Sequence, residues 1–532
     1  MIAALANAAW LAASLPEHAR FRRALGDVRG VQDRVLRRLV TTGAPTAFGR
    51  AHGFARIRSI ADYRAAVPVA TYDDLRPWID RAASGEAGVL TADPVRRFEP
   101  TSGTSAGTKW IPCTDASRRE FARGVAAWIA DLFRQRPALM GGAAYWGVSP
   151  AVASTTTRGG IPVGFADDGD YVGGLRRHLV DRVVAVPSSV RRLGDMDAFW
   201  LATVTHLVRR ADLRLISVWN PSFLRILCDR LVADADRVAR AVDRESARRL
   251  EVALAAPTAA ERHARLWPRL ALVSCWADGQ SAGGAREIAA LFPQADIQGK
   301  GLLATEGFVS LPLVGHDGGV LALRSHLLEF LPLGDDDSSA VGAADLEVGG
   351  RYSVVLSTGA GLYRYHLGDV VEVIGRVDRC PSVRFVGRRL HVSDWRGEKL
   401  DDAHVATVVA RATAGVTRRP AFTMLSCEPS LDPLAYVLYV DAADDAARLA
   451  ADVEAGLCGN VHYRYARALG QLGPVRACVA ADAEATWLAA AAARGGPIGS
   501  LKVPALDPRG DWLGAFRRRG VERTLSPSPD LA

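Results

Sequence analysis

Glu99-Pro-Thr-Ser-Gly-Thr-Ser-Ala-Gly-Thr-Lys-Trp-Ile-Pro-Cys-Thr114 is the stretch on which the reading of this chain turns. It carries hydroxyls at Thr101, Ser102, Thr104, Ser105 and Thr108, with Gly103 and Gly107 freeing the backbone to turn and approach a ligand, and it closes on Lys109. Phosphate oxygens accept hydrogen bonds from every side and carry dense negative charge. Hydroxyls, free backbone N–H groups and one ammonium therefore make a cradle for a polyphosphate such as that of ATP. Spacing excludes a Walker P-loop, which places four residues between its glycines and Lys-Ser/Thr directly after the second. Here three residues intervene and Lys109 precedes Trp110. A solvated Ser/Thr/Gly linker would have a similar composition. The apolar flanks, Val95 and Phe98 before it and Trp110 and Ile111 after it, point instead to a loop between two buried strands.

The lysines single out the same loop independently. Of 66 Lys plus Arg, only Lys109, Lys300, Lys399 and Lys502 are lysine, and the other 62 are arginine. In a chain that uses Arg wherever a positive charge has only to be solvated, the remaining lysines mark places that need a compact, rotatable point charge. Lys300 leads into Gly-Leu-Leu-Ala-Thr305-Glu306-Gly307, Lys399 ends Gly397-Glu398-Lys399, and Lys502 follows Gly499-Ser500-Leu501. Coincidence is the competing account.

With 532 residues, 49% hydrophobic and 23% charged, the chain is an ordinary globular one and too long for a single core. The net charge of +8 does not form a basic tail. Arginines are spread through amphipathic helices, as from Arg20 to Arg38, which argues against nucleic acid as a partner. Seven cysteines without a CxxC pair predict free thiols in a reducing compartment, hence a cytoplasmic protein. Residues 1–15 are apolar but lack a basic flank and fall short of the roughly 20 residues that cross a bilayer. They predict a packed helix and no membrane partner.

Periodicity predicts one helical stretch from Met1 to about Thr42, short helices and turns over 46–94, and a helix after the loop, capped by Asp115 or by Ser117 paired with Glu120. Phe121, Val125, Trp128, Ile129, Leu132 and Phe133 would form its apolar stripe. Helices over 195–211 and 222–268 alternate with strand-like runs at 213–220 and 270–276, which indicates an α/β fold with partly parallel sheets. Residues 320–333 and 352–375 are strand-rich. The pattern breaks near Gly387–Arg396, before a helix at about Asp401, and this predicts a domain boundary. The remainder reads as a small α+β unit.

Two further motifs carry chemistry. Glu306, after the apolar residues Ile297, Leu302 and Leu303, is expected at a strand end or tight turn, where a carboxylate near a phosphate loop can hold Mg2+. In Tyr363-Arg364-Tyr365-His366-Leu367-Gly368-Asp369-Val370-Val371, an Asp directly before a valine-rich strand can accept both hydroxyls of a ribose. His366 has no identifiable partner for base catalysis, so local hydrogen bonding is the expectation. Trp146, Trp219, Trp276 and Phe308 are candidates for lining a ligand pocket and equally for core.

In order and spacing, Thr101–Lys109, Ala304-Thr-Glu-Gly307, Tyr363-Arg364 with Gly368-Asp369, Gly387-Arg388 and the late Lys502 resemble the adenylating superfamily of acyl-CoA synthetases and peptide-synthetase adenylation domains. Within it the chain most resembles the Gretchen Hagen 3 family of acyl acid amido synthetases, in its bacterial branch. Thr46-Ala-Phe-Gly49, Tyr63-Arg64 with Val67-Pro68, and Asn220-Pro221-Ser222 add to the likeness, which spans nearly the whole chain. The resemblance implies an adenylating domain over 1–388, with mixed sheets flanked by helices, and a small mobile C-terminal lid over 389–532. It implies that a carboxylic acid attacks Mg·ATP to give an acyl adenylate, and that an amine, usually an amino acid, displaces AMP.

Carried onto this sequence, Thr101, Ser102, Gly103, Thr104, Ser105, Gly107 and Lys109 would hold the phosphates. Thr305 and Glu306 would serve the α-phosphate and Mg2+, Tyr363 the nucleotide, and Asp369 the ribose. Arg388 would stand at the hinge beside the nucleotide, Lys399 would reach phosphate, and Lys502 would swing in to neutralise charge during adenylation. One departure is that Leu302 and Leu303 stand where the superfamily commonly stacks an aromatic ring on adenine. The alternatives are an acyl-CoA ligase, an enzyme that stops at the adenylate, and a non-catalytic nucleotide or small-acid binder. A monomer is favoured.

Overall fold

The computed structural model describes residues 2–101, 109–147, 155–164, 183–193, 195–333, 339–388, 392–393, 395–396, 398–493, 502–517 and 525–526. Strands Arg97–Thr101 and Lys109–Cys113 form an antiparallel hairpin in which Thr101 pairs with Lys109. Phe98 and Ile111 are buried, as expected for strands that flank a loop. The expectations for Ser102, Gly103, Thr104, Ser105 and Gly107 lie outside the described residues.

The hairpin runs directly into the helix Asp115–Gln135. Neither predicted cap is used. Thr114 and Ser117 form the capping box, and Glu120, one turn further on, is drawn into the core. The N-terminal pattern also resolves into two helices, Ile2–Leu25 and Val28–Gly43, because Asp27 caps the second by accepting from Gly30 N at 3.1 Å. The hydrophobic spacing continues through the break, so periodicity alone reads one helix. Trp10 on the first helix packs against Phe133 and Trp146.

A parallel sheet follows, ordered Ala143–Trp146, Leu213–Ser217, Leu272–Cys275, Asp296–Gly299. Helices Met196–Val208, Pro221–Ala233 and Ala282–Leu291 supply its apolar cover. A second, antiparallel sheet of seven described strands carries Leu327–Pro332, Arg351–Ser357, Tyr365–Val377 and Cys380–Arg388 side by side. Its core joins that of the N-terminal helices. After Arg388 comes a five-stranded sheet, centred on Thr423–Glu428, Ala435–Val440 and Gly473–Val479, with its own apolar clusters on both faces. The α/β architecture with mixed sheets and a C-terminal α+β unit is as expected. All seven cysteines are free thiols. Among the described residues no helix is long and apolar enough to cross a membrane.

Candidate active site

Glu306 sits on a tight turn in which Ala304 N donates to Gly307 O at 3.0 Å and Gly307 N donates to Ala304 O at 3.2 Å. Thr305 is exposed at its tip and Glu306 is half-buried. Behind the turn, Phe308 N donates to His326 Nε2 at 2.9 Å, which leaves the ring proton on Nδ1. That nitrogen lies 3.2 Å from Glu120 Oε2 without the geometry of a hydrogen bond, and Glu120 accepts from Gly359 N at 3.1 and 2.9 Å and from Arg38 Nη2 at 3.3 Å. A buried carboxylate thus joins three distant segments at the base of the turn. Sequence reasoning assigned Glu120 to a helix cap and missed His326. Their only local signal is a Glu on the apolar side of an amphipathic helix.

Asp369 lies inside the strand Tyr365–Val377, four residues from its start and fully buried, not ahead of it as the valine run suggested. Arg388, its register partner on the next strand, donates from Nε to Asp369 Oδ1 at 2.9 Å. Asp369 Oδ2 is buried without a partner among the described residues. An orphaned carboxylate oxygen is what a hydroxyl-bearing ligand would satisfy. Tyr365 donates its hydroxyl toward Glu306 Oε1 at 3.4 Å.

Lys109 points over the ring of Tyr72 at 5.6 Å, and Tyr72 in turn accepts from Trp110 N at 2.8 Å. Burial pushes the Lys109 ammonium down from its usual range, while Glu306 draws it up. Burial pushes Glu306 up, opposed by its own backbone N–H and by Arg388, with Asp369 adding to the rise and Lys109 countering it. Lys502 arrives from the C-terminal unit and rests 4.5 Å above Trp276 and 5.6 Å from Phe385. Burial lowers it to about 8, against the pull of Asp369 and Glu306. Lys109, Glu306, Arg388 and Lys502 come from widely separated stretches, and each is shifted in part by the charge of others in the set or of Asp369.

Two expected residues stand elsewhere. Tyr363 is turned into the core, stacked on Phe48 at 4.9 Å, with its hydroxyl donated to Leu90 O at 2.9 Å. Tyr365, two residues on, is the tyrosine that reaches the cluster. Lys399 is exposed in the left-handed region (φ 44°), its carbonyl accepting from Asn460 Nδ2 at 3.3 Å. His366 does bond locally, to Ser353 Oγ at 2.7 Å.

At the carboxyl ends of the parallel strands lies a second group. Lys300 donates to Ser217 Oγ at 2.6 Å and lies 5.1 Å from the Trp219 ring and 5.6 Å from that of Trp128. Trp219 and Trp276 stand 6.1 Å apart, both half-buried. Of the pocket candidates, Phe308 is core, against Phe121, and Trp146 is wedged between Trp10 and Trp128. Of the four, Trp276 borders the charged cluster, beneath Lys502, and Trp219 stands beside Trp276. Leu302 is buried, so Leu303 alone offers a partly open aliphatic face at that point.

An α/β body and a C-terminal α+β unit bring Lys109, Arg388 and Lys502 near Glu306 and Asp369. The chain belongs to the GH3 family: residues 17–246 match the GH3 family N-terminal domain, 319–388 the central domain and 403–508 the C-terminal domain. It is 27% identical over 545 residues to indole-3-acetic acid-amido synthetase GH3.8 of Oryza sativa subsp. indica, covering 90% of this chain and 88% of that one. It is 24% identical over 438 residues to indole-3-acetic acid-amido synthetase GH3.2 of Arabidopsis thaliana, covering 72% and 78%. The fold matches that of the GH3.15 acyl acid amido synthetase with a TM-score of 0.80 at 19% identity, over 96% of this chain and 98% of the other.

Proposed function

We propose that the protein is an ATP-dependent acyl acid amido synthetase that adenylates a carboxylic acid and passes the acyl group to an amine, an amino acid in the reading we favour. The observation that supports this is the grouping of the Asp369–Arg388 pair, Glu306 under the Tyr365 hydroxyl and Lys502 on Trp276 and Phe385, with Lys109 and Lys502 both drawn on by the charge of Glu306. In this reading residues 1–388 form the adenylating lobe and 389–532 the lid.

Attack of a carboxylate on an α-phosphate concentrates negative charge in a place already anionic. The chain answers with Lys109 at the hairpin mouth, Lys502 from the lid and Arg388 beside the ribose site, so catalysis is positioning plus charge stabilisation. No general base is needed, because the attacking acid is already ionised at neutral pH. In this reading Asp369, with Oδ1 fixed by Arg388, would offer its unpartnered Oδ2 to a sugar hydroxyl. The donor set suits Mg2+, which takes one or two protein carboxylates and completes its shell with phosphate and water. Among the described residues there is no group of three or more potential ligands, and in this reading Glu306 would be the protein carboxylate on the metal. Bound there, Mg2+ would neutralise phosphate charge and orient the phosphate chain.

ATP–pyrophosphate exchange across a panel of carboxylic acids, followed by mass spectrometry of products formed with each amino acid, tests the reading. An acid-dependent exchange and an amide product are expected. Exchange that no acid stimulates would overturn it in favour of a silent binder, and a thioester formed with CoA would favour the CoA-ligase alternative.

A further inference from the structure

Asp402 opens the helix Asp402–Ala412 just after the boundary between the two units, and it is 4% exposed. Its two oxygens serve two different parts of the molecule. Oδ2 accepts from the backbone N–H of Arg388 at 2.9 Å, at the last residue of the strand that holds the Asp369–Arg388 pair. Oδ1 accepts from the backbone N–H of Leu506 at 2.8 Å, four residues beyond Lys502. Leu506 belongs to the short strand Leu506–Asp507, which is anchored by Leu425 N donating to Ala505 O at 2.8 Å. The contact is close on the Arg388 side. A Cβ added at Gly387 would lie 3.0 Å from both Asp402 Oδ2 and Ala403 Cα, which accounts for glycine before Arg388.

We infer that Asp402 is a positioning residue for the adenylation half-reaction, a carboxylate tether that holds the Lys502 segment in register with the Arg388 strand. The inference rests on the acyl-adenylate reading above. Both ends of the tether lead to groups in the charged cluster. Arg388 continues through its side chain to Asp369, and Lys502 continues to its seat on Trp276 and Phe385. A charge-assisted bond to a backbone N–H fixes position without adding a side chain to the site. Lys502 serves the step in which charge develops on phosphate. Transfer of the acyl group to an amine does not call on that ammonium, so loss of the tether should weigh on the first half-reaction and spare the second.

The test separates the halves in the full-length protein. Pyrophosphate exchange reads adenylation, and single-turnover aminolysis of a supplied acyl adenylate reads transfer. For Asp402→Ala the exchange kcat is expected to fall about 10- to 100-fold, with KM for ATP changed little and aminolysis within about threefold of wild type. Gly387→Ala, which crowds the same carboxylate without removing it, is expected to show the same split at smaller amplitude. Asp402→Asn, isosteric and keeping one acceptor oxygen, gives the reading if the alanine variant does not fold. Parallel loss in both halves, or no loss in exchange, would overturn the tether. A wild-type protein without exchange for any acid would instead sink the activity reading itself.

Discussion

Asp369 and Arg388 face each other across adjacent antiparallel strands, joined at 2.9 Å through Oδ1, while the second oxygen of Asp369 stays buried and unpartnered among the described residues. The pair is half-finished as a salt bridge and poised as a hydrogen-bond acceptor. Hydrogen bonds to charged groups are worth about 1.5–3 kcal/mol. Asp369→Asn, which replaces one carboxylate oxygen by a donor, should therefore raise the Kd for ATP about tenfold or more. Isothermal titration of ATP into the variant checks this, and unchanged affinity would place the ribose elsewhere.

Lys502 should write itself into the pH profile. Burial holds its ammonium at about 8, so the free enzyme loses the charge as pH rises through that value. Exchange measured as kcat/KM is expected to fall on the alkaline side with a midpoint near 8. Bound polyphosphate favours the charged form, so the kcat limb should lie higher. Lys502→Ala should lower exchange about 100- to 1,000-fold and remove the limb, with ATP binding retained. A limb that survives the substitution would belong to another group.

Some of this site was legible in the sequence and some was not, for a physical reason. Lys109, Glu306, Asp369 and Lys502, which the structure brings near one another, could be singled out because each stands out locally: a point charge against an Arg background, a carboxylate on a glycine turn, a carboxylate beside a valine run. Glu120, His326 and Asp402 act through partners far along the chain, with Glu120 bonded to Gly359 and Asp402 to Leu506, and no local pattern records such a partner. Tyr363 and Tyr365 show the same limit within one motif. Strand alternation places residues two apart on one face only where the backbone is regular, and Arg364 between them has a φ of 47°. Both rings are buried, but only the Tyr365 hydroxyl reaches Glu306.

Arg364 itself is structural. It donates from Nε to Glu329 Oε2 at 3.0 Å and from Nη2 to Oε1 at 3.3 Å, while Arg64 Nε donates to Oε1 at 2.8 Å. Glu329 and Arg364 are both buried. Removing one partner of a buried pair leaves the other uncompensated, at a cost of about 3–5 kcal/mol. Glu329→Ala should therefore lower the unfolding midpoint markedly in urea, while the fraction that remains folded at low denaturant keeps its KM for ATP.

Gly307 offers the sharpest separation of site from scaffold. A Cβ there would stand 3.0 Å from His326 Nε2 and 3.1 Å from its Cδ2. The ring cannot yield easily, since Phe308 N holds it on one side and Glu120 lies 3.2 Å away on the other. The strain then falls on the turn, and Glu306 is its neighbour. Gly307→Ala is expected to reduce exchange at least about tenfold at saturating acid, with a stability loss of about 1–3 kcal/mol, the ordinary cost of overpacking. Paired substitution with His326→Ala relieves the clash but removes the acceptor for Phe308 N, so it should recover stability less than activity. A Gly307→Ala enzyme with wild-type exchange would mean that the turn tolerates displacement and that Glu306 does not need its observed position.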